Sequence, residues 1–204
     1  MSDIYLLGGA LLNEDLSIES CHEDQLLAQF EKSALKEAPK LDISEIRRSW
    51  SEMRGALDLN ELLSKIKASR LDVYQLIGID YAMQIEKDAI YDILKGVVDY
   101  NIPILMSMGN GAVLQTYQGL IHKISSKGKW ISILDSESSF HLQEERIHHV
   151  WIVKKPSING MHISMELFDQ SGDVLAIFSG ADVGGISQCK WRKLVEQISS
   201  QSCI

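Results

Sequence analysis

The chain has 204 residues and a formal net charge of −8 at pH 7; 45% of its residues are hydrophobic and 24% are charged. A chain of this length buries roughly 70% of the surface that its unfolded form exposes, so it needs neither disulfides nor a metal to fold. The acidic balance excludes a general nucleic-acid binder, because phosphate contacts require a basic face.

The early apolar run is preceded by Asp3 rather than by positive charge, and no run is long enough to span a membrane. The three cysteines are widely spaced and fit neither a disulfide framework nor a zinc site. We therefore predict a cytoplasmic protein that does not insert into a membrane. Residues 1–40 show no clear pattern and are treated as an N-terminal leader segment, and residues 41–204 are treated as one domain.

Helical signals begin after the leader. Asp42 and Glu45 form a capping-box pattern, Gly55 is a plausible stop, and the apolar residues between them recur at helical spacing. Asp58 repeats the capping pattern ahead of a second apolar stripe. Shorter and longer helices are predicted over 71–77 and 87–100, the first ending at Gly78.

From residue 102 the apolar period becomes that of β-strands, which are rich in Val, Ile, Phe and Trp. Strands are predicted over 102–108, 113–124, 130–134, 147–153, 162–168 and 174–179. Pro156, Asn159-Gly160 and Ser171-Gly172 supply turn residues between them, and a last helix is predicted over 187–199. N-terminal helices, an antiparallel sheet of about seven strands and a C-terminal helix are typical of the α+β class.

One predicted strand carries a suggestive set of side chains. His148 and His149 are neighbours, so they point to opposite faces and cannot jointly bind one metal ion. The same alternation places His149, Trp151 and Lys155 on one face, where they would suit a planar, anionic ligand. Periodicity alone fits an ordinary half-buried histidine at least as well.

The remaining candidates give no catalytic residues and no metal site. His122 and His162 lie on predicted strands without a carboxylate or cysteine at ligand spacing, and His141 fits a structural position. No nucleophile elbow is present, and the Gly109-Asn110-Gly111 sequence links two strands rather than a strand and a helix. The residues alone therefore predict an α+β domain without assigning its function.

Three stretches resemble a known family in the right order. They cover 69–110, 130–169 and 179–198, and they include the W-I-V-K-K-P-S turn over 151–157 and the closing Trp191. The sequence resembles haemin-degrading, haem-utilisation proteins of the HemS/ChuS type over roughly 43–198. Members of this type contain two tandem copies of one fold, and this chain resembles a single copy.

The resemblance implies the HemS-like fold and haem binding or trafficking in the bacterial cytoplasm during iron acquisition. It also implies a homodimer, because a single copy would pair with a second one. In the family a histidine that follows a W-x-x-M segment binds the iron. That segment is Trp50-Ser51-Glu52-Met53 here, and the ligand position is Leu57, which has no donor atom.

Other positions implied by the resemblance also differ. The arginine of the family's G-N-R-G turn is Gly111, and the tyrosine and arginine that follow its last strand are Ser179 and Asp182. Of the expected haem contacts, only Lys155 keeps its type. A carboxylate in place of an arginine would repel a propionate.

Three hypotheses follow, and the first two are from different functional classes. The first is a haem-binding protein with a divergent site, in which His149 binds the iron, Lys155 faces a propionate and Trp151 flanks the porphyrin. The alternative is a haem-independent binding or regulatory protein that kept the fold and lost the haem site. Oxidative cleavage of haem ranks last, because the expected histidine position is Leu57.

Overall fold

The computed structural model describes residues 2–5, 42–109, 114–135, 138–182 and 185–200. Its helices are α1 (Ile43–Ser51), α2 (Ala56–Ile66), α3 (Arg70–Ile77), α4 (Ala89–Asp99) and α5 (Ile186–Ser199). Its strands are β1 (Ser2–Tyr5), β2 (Ala82–Ile85), β3 (Ile104–Gly109), β4 (Leu114–Gly119), β5 (Lys123–Lys127), β6 (Trp130–Leu134), β7 (Ser138–Gln143), β8 (His149–Ser157), β9 (Gly160–Phe168) and β10 (Val174–Gly180). The predicted domain boundary after residue 40 lies outside the described residues.

These strands form two sheets within the described part of the chain. A six-stranded antiparallel sheet has the order β2–β8–β9–β10–β3–β4, and a four-stranded sheet has the order β1–β7–β6–β5. In the smaller sheet β1 runs parallel to β7, so part of the leader segment joins the fold. The α+β class and the closing helix are confirmed, whereas the division of the strands between two sheets was not predicted.

The division occurs where one long strand was expected over 113–124. β4 ends at Gly119 and pairs with β3 in the larger sheet, whereas β5 begins at Lys123 and pairs with β6 in the smaller one. The Tyr117 hydroxyl donates to the Leu120 carbonyl at 2.7 Å within this crossing. The single strand predicted over 113–124 is therefore divided between two sheets.

Each face of the six-stranded sheet packs against a different layer. On one face, α4, α5 and the smaller sheet cover an apolar core, and the Trp191 indole donates to the Ile163 carbonyl at 2.9 Å. On the other face, α1, α2 and α3 cover a second core that includes Trp50 and Trp151. Trp50 donates its indole N–H to the Lys154 carbonyl at 3.0 Å, which ties α1 to β8.

The helix ends follow the sequence signals except at the start of α2, where Gly55 is the N-cap residue and Asp58, predicted as the cap, lies in the first turn. The Asp42 carboxylate accepts from the backbone N–H groups of Ser44 and Glu45, as the capping pattern predicts. Gly55, predicted as a helix stop, instead precedes α2, and its N–H donates to the Asp58 carboxylate at 3.1 Å. α1 ends earlier, at Ser51.

Candidate functional site

The candidate site lies on the face of the six-stranded sheet that α1, α2 and α3 cover. The register of β8 and β9 is unbroken, with Trp151 opposite Glu166 and Lys155 opposite His162. Because side chains alternate along a strand, His149, Trp151 and Lys155 share this face with alternate residues of β9. The alternate residues from β9 are His162, Ser164 and Glu166.

Glu166 is the centre of this face. Its carboxylate is 0% exposed and accepts from Lys155 Nζ at 2.6 Å, the Tyr74 hydroxyl at 2.8 Å, the Ser164 hydroxyl at 3.0 Å and Arg70 Nη1 at 3.3 Å. We call these five residues the Glu166 cluster. The cluster joins α3 to β8 and β9 through contacts between residues far apart in the sequence.

The cluster stays ionised at neutral pH. Burial alone would raise the pKa of Glu166, but the positive charges of Lys155 and Arg70, together with the hydrogen bonds, lower it to about 2. Burial and the Glu166 charge raise the pKa of Tyr74 well above its usual value. Burial lowers the pKa of Lys155, although the Glu166 charge opposes this shift. Neither Glu166 nor Tyr74 is poised to exchange a proton near neutral pH.

The residues selected from the sequence do not border one open surface. Trp151 is 5% exposed, and its ring centroid lies 5.8 Å from that of Tyr74 beneath the helices. Val153, between Trp151 and Lys155 on the same face, is also buried. His149 is half-buried at the start of β8, so the covered stretch separates it from Lys155, whose ammonium is held by Glu166.

The positions that differ from the family pattern have local roles of their own. Ser179 is buried on β10 opposite Ser164, and its hydroxyl donates to the Gly180 carbonyl at 3.3 Å. Asp182 is exposed, and its carboxylate accepts from the Gln188 N–H at 3.3 Å at the start of α5. Asp182 therefore acts as a helix-capping group.

The side chains at the two other altered positions lie outside the described structure. Leu57 lies in the first turn of α2, but its side chain is outside the described part of the structure. Gly111 lies outside the described residues altogether.

His162 was passed over from the sequence, but its surroundings are unusual. The residue is half-buried, and its Nδ1 is buried without a hydrogen-bond partner among the described residues. Burial, followed by the positive charge of Lys155, lowers the pKa of His162 to about 4. The imidazole is therefore neutral at physiological pH.

Other histidines have polar partners. His122 Nδ1 lies 2.9 Å from the Asp135 carboxylate, and His141 Nδ1 lies 2.9 Å from the Ser132 hydroxyl. Across the described residues, no group of three or more His, Cys, Asp or Glu side chains could hold a metal ion. No helix in the described ranges is long and apolar enough to cross a membrane.

Fold and site together define an α+β domain with helical layers on both faces of its larger sheet and an ionised cluster beneath one layer. Residues 67–198 match the haemin-degrading HemS.ChuX domain, and the chain belongs to this family. It is 27% identical over 161 residues to the hemin transport protein HmuS of Yersinia pestis, covering 78% of this chain and 47% of that protein. The chain thus spans about half the length of the curated relatives that it matches.

Solved structures support the same assignment. Holo-PhuS, described as a heme-binding protein from Pseudomonas aeruginosa, is 26% identical, with a TM-score of 0.75 over 81% of this chain and 49% of that chain. ChuX is 15% identical, with a TM-score of 0.61 over 78% of this chain and 99% of that chain. The likeness to ChuX shows the fold alone, and it extends over almost the whole ChuX chain.

Proposed function

We propose that the protein binds haem as cargo in bacterial haem utilisation, in the cytoplasm, through a site that differs from the one implied by the family pattern. The observation that carries the proposal is the likeness to holo-PhuS, which extends over 81% of this chain. Family membership over 67–198 supports the same conclusion.

The donor set fits haem in part. The Lys155 ammonium, the cation expected to face a propionate, is already engaged at 2.6 Å by the Glu166 carboxylate. Ser179 and Asp182 supply no cation for a propionate. Binding would therefore depend on an imidazole and on apolar contacts more than on paired charges.

A haemin titration tests the proposal. Purified protein is titrated with haemin while the Soret band is followed, and a saturable shift at one haemin per chain is expected. His149→Ala tests the assignment of His149 from the sequence, which stays a proposal. Absence of a saturable shift in the folded wild type would refute haem binding.

A second candidate function has specific support. Because Lys155 is paired internally and Asp182 caps α5, the charged residues at these two positions serve the fold rather than a ligand. A haem-independent binding or regulatory role would follow if the folded protein ignored haemin. Ascorbate added to a haem complex separates binding from breakdown: we expect the Soret band to persist, and bleaching would indicate oxidative cleavage.

We also propose a homodimer. The support is the family resemblance, which implies that a single copy of the fold pairs with a second copy. Light scattering should give about twice the mass of the chain. A monomer at high protein concentration would contradict the proposal.

A further inference from the structure

Four strands lie at the edges of the two sheets in the described part of the chain. They are β2 and β4 in the larger sheet and β1 and β5 in the smaller one. An edge strand leaves a row of backbone N–H and C=O groups unpaired, and proteins protect such edges with short strands, charged side chains, prolines or bulges. β1 and β2 have four residues each, and β5 carries Lys123 and Lys127 at its two ends. Length or charge therefore protects three of the four edges.

The fourth edge strand, β4, has none of these protections. Its six residues, Leu114–Gly119, include no charged side chain and no proline, and they pair with β3 without a bulge. Among the described residues, β3 is its only strand partner. No Asp, Glu, Lys or Arg occurs over residues 100–122, although 24% of the whole chain is charged. The outer edge of the larger sheet is therefore regular and uncharged.

Side-chain contacts hold β4 in a fixed position. The Tyr117 ring centroid lies 5.4 Å from that of Phe140 in the smaller sheet, and the Tyr117 hydroxyl donates to the Leu120 carbonyl at 2.7 Å. The Gln118 amide donates to the Ala181 carbonyl at 3.3 Å, just after β10. A strand that is already ordered loses little conformational entropy when it pairs with another strand.

Charge and symmetry favour a second copy of the chain as the occupant of this edge. Each copy carries a net charge of −8, so two copies can approach closely only through surfaces that are free of charge. A two-fold axis perpendicular to the sheet would place two β4 strands antiparallel, and no register of that pair would oppose two like charges. The equivalent pairing of β5 would place Lys123 of one copy opposite Lys127 of the other, which is destabilising.

On the basis of the proposed homodimer, we infer that β4 is its interface. The β4 strands of two copies pair antiparallel about the two-fold axis, and the two six-stranded sheets become one continuous sheet. Backbone hydrogen bonds supply most of the contact, because the side chains on both sides are uncharged. The partner of this edge is therefore a second copy of the chain rather than an extended segment of another protein.

Oppositely charged variants of Thr116 test the inference. Thr116 is in the middle of β4, so the two-fold axis would place it opposite, or diagonally next to, Thr116 of the second copy. Thr116→Lys alone and Thr116→Glu alone should each raise the dissociation constant of the dimer by about tenfold or more, because like charges meet at the axis. An equimolar mixture of the two variants should recover the dimer, because opposite charges then meet. Sedimentation velocity over a range of concentrations measures all three samples.

A charge on another edge is the matched control. Ser126 is exposed on β5, so Ser126→Lys should dimerise as the wild type does, and circular dichroism should show that every variant is folded. Wild-type dimerisation by both Thr116 variants, or a mixture of the folded variants that stays monomeric, would overturn the inference while leaving the homodimer in place. A monomeric wild type would refute the homodimer and the inference with it, even if β4 then bound an extended peptide. The haemin titration is independent of all these outcomes.

Discussion

Replacing Glu166 with glutamine should destabilise the protein far more than replacing a surface carboxylate. The Glu166 side chain is 0% exposed and holds Lys155 at 2.6 Å and Arg70 at 3.3 Å. Glutamine keeps the shape but removes the charge, so both cations would remain buried without a counter-charge. Breaking a buried ion pair on one side costs about 3–5 kcal/mol.

Urea denaturation measures the effect. With a slope of about 2 kcal/mol per molar, the midpoint should fall by roughly 2 M. Glu196→Gln is the matched control, because Glu196 lies 3.8 Å from Lys154 on the surface, and such pairs contribute about 0–1 kcal/mol. The double variant Lys155→Met/Glu166→Gln should recover part of the loss. If Glu166→Gln were as stable as Glu196→Gln, the cluster would not hold α3 to the sheet.

Acid titration checks the same cluster independently. The pKa of Glu166 is about 2 in the folded protein, below its usual value of 4.5, so the unfolded chain takes up this proton first as the pH falls. Its contribution to stability is therefore complete above about pH 4.5 and is lost as the pH falls towards 2. Glu166→Gln should lack this part of the pH dependence.

The remaining predictions concern the ends of α5 and β10 and the titration of His162. Asp182→Ala should lower the free energy of unfolding by about 1 kcal/mol in thermal denaturation, because the Gln188 N–H loses its acceptor, whereas Asp182→Asn should keep most of it. Gly180→Ala should lower the free energy of unfolding by about 1–3 kcal/mol, because a Cβ there would come within 2.6 Å of the Gln188 Cα. Gly55→Ala is the control in the same assay, because a Cβ at Gly55 would meet no atom within 4 Å. The pKa of His162 is lowered to about 4, so wild-type stability should fall between pH 6.5 and 4, by at most roughly 3 kcal/mol, and His162→Gln should remove that slope in urea titrations at each pH.

Local signals in the sequence were enough to predict elements whose causes are local. The cap at Asp42 and the strand Trp130–Leu134 depend on neighbouring residues, and both are found as predicted. The change of sheet between Gly119 and Lys123 depends on the different strands with which β4 and β5 pair, which are β3 and β6.

Most of the candidate site depends on contacts between distant residues. Arg70 and Glu166 are 96 positions apart, so no spacing rule could have paired them. One signal was nevertheless present in β9: apolar Ile163 and Met165 alternate with Ser164 and Glu166, which indicates a polar face on a strand between two others. A polar face on a central strand must either meet solvent or carry its own hydrogen-bond network, and here α3 completes that network.

The Glu166 cluster gives Lys155 a structural role in place of the ligand contact that the family resemblance implies. Lys155 has the residue type that the family resemblance implies for a ligand contact, yet the Glu166 carboxylate on the neighbouring strand accepts from its ammonium at 2.6 Å. Because desolvating a charge is unfavourable unless it is paired, the lysine cannot be both buried and unpaired. The chemistry open to a ligand therefore does not include this buried cation.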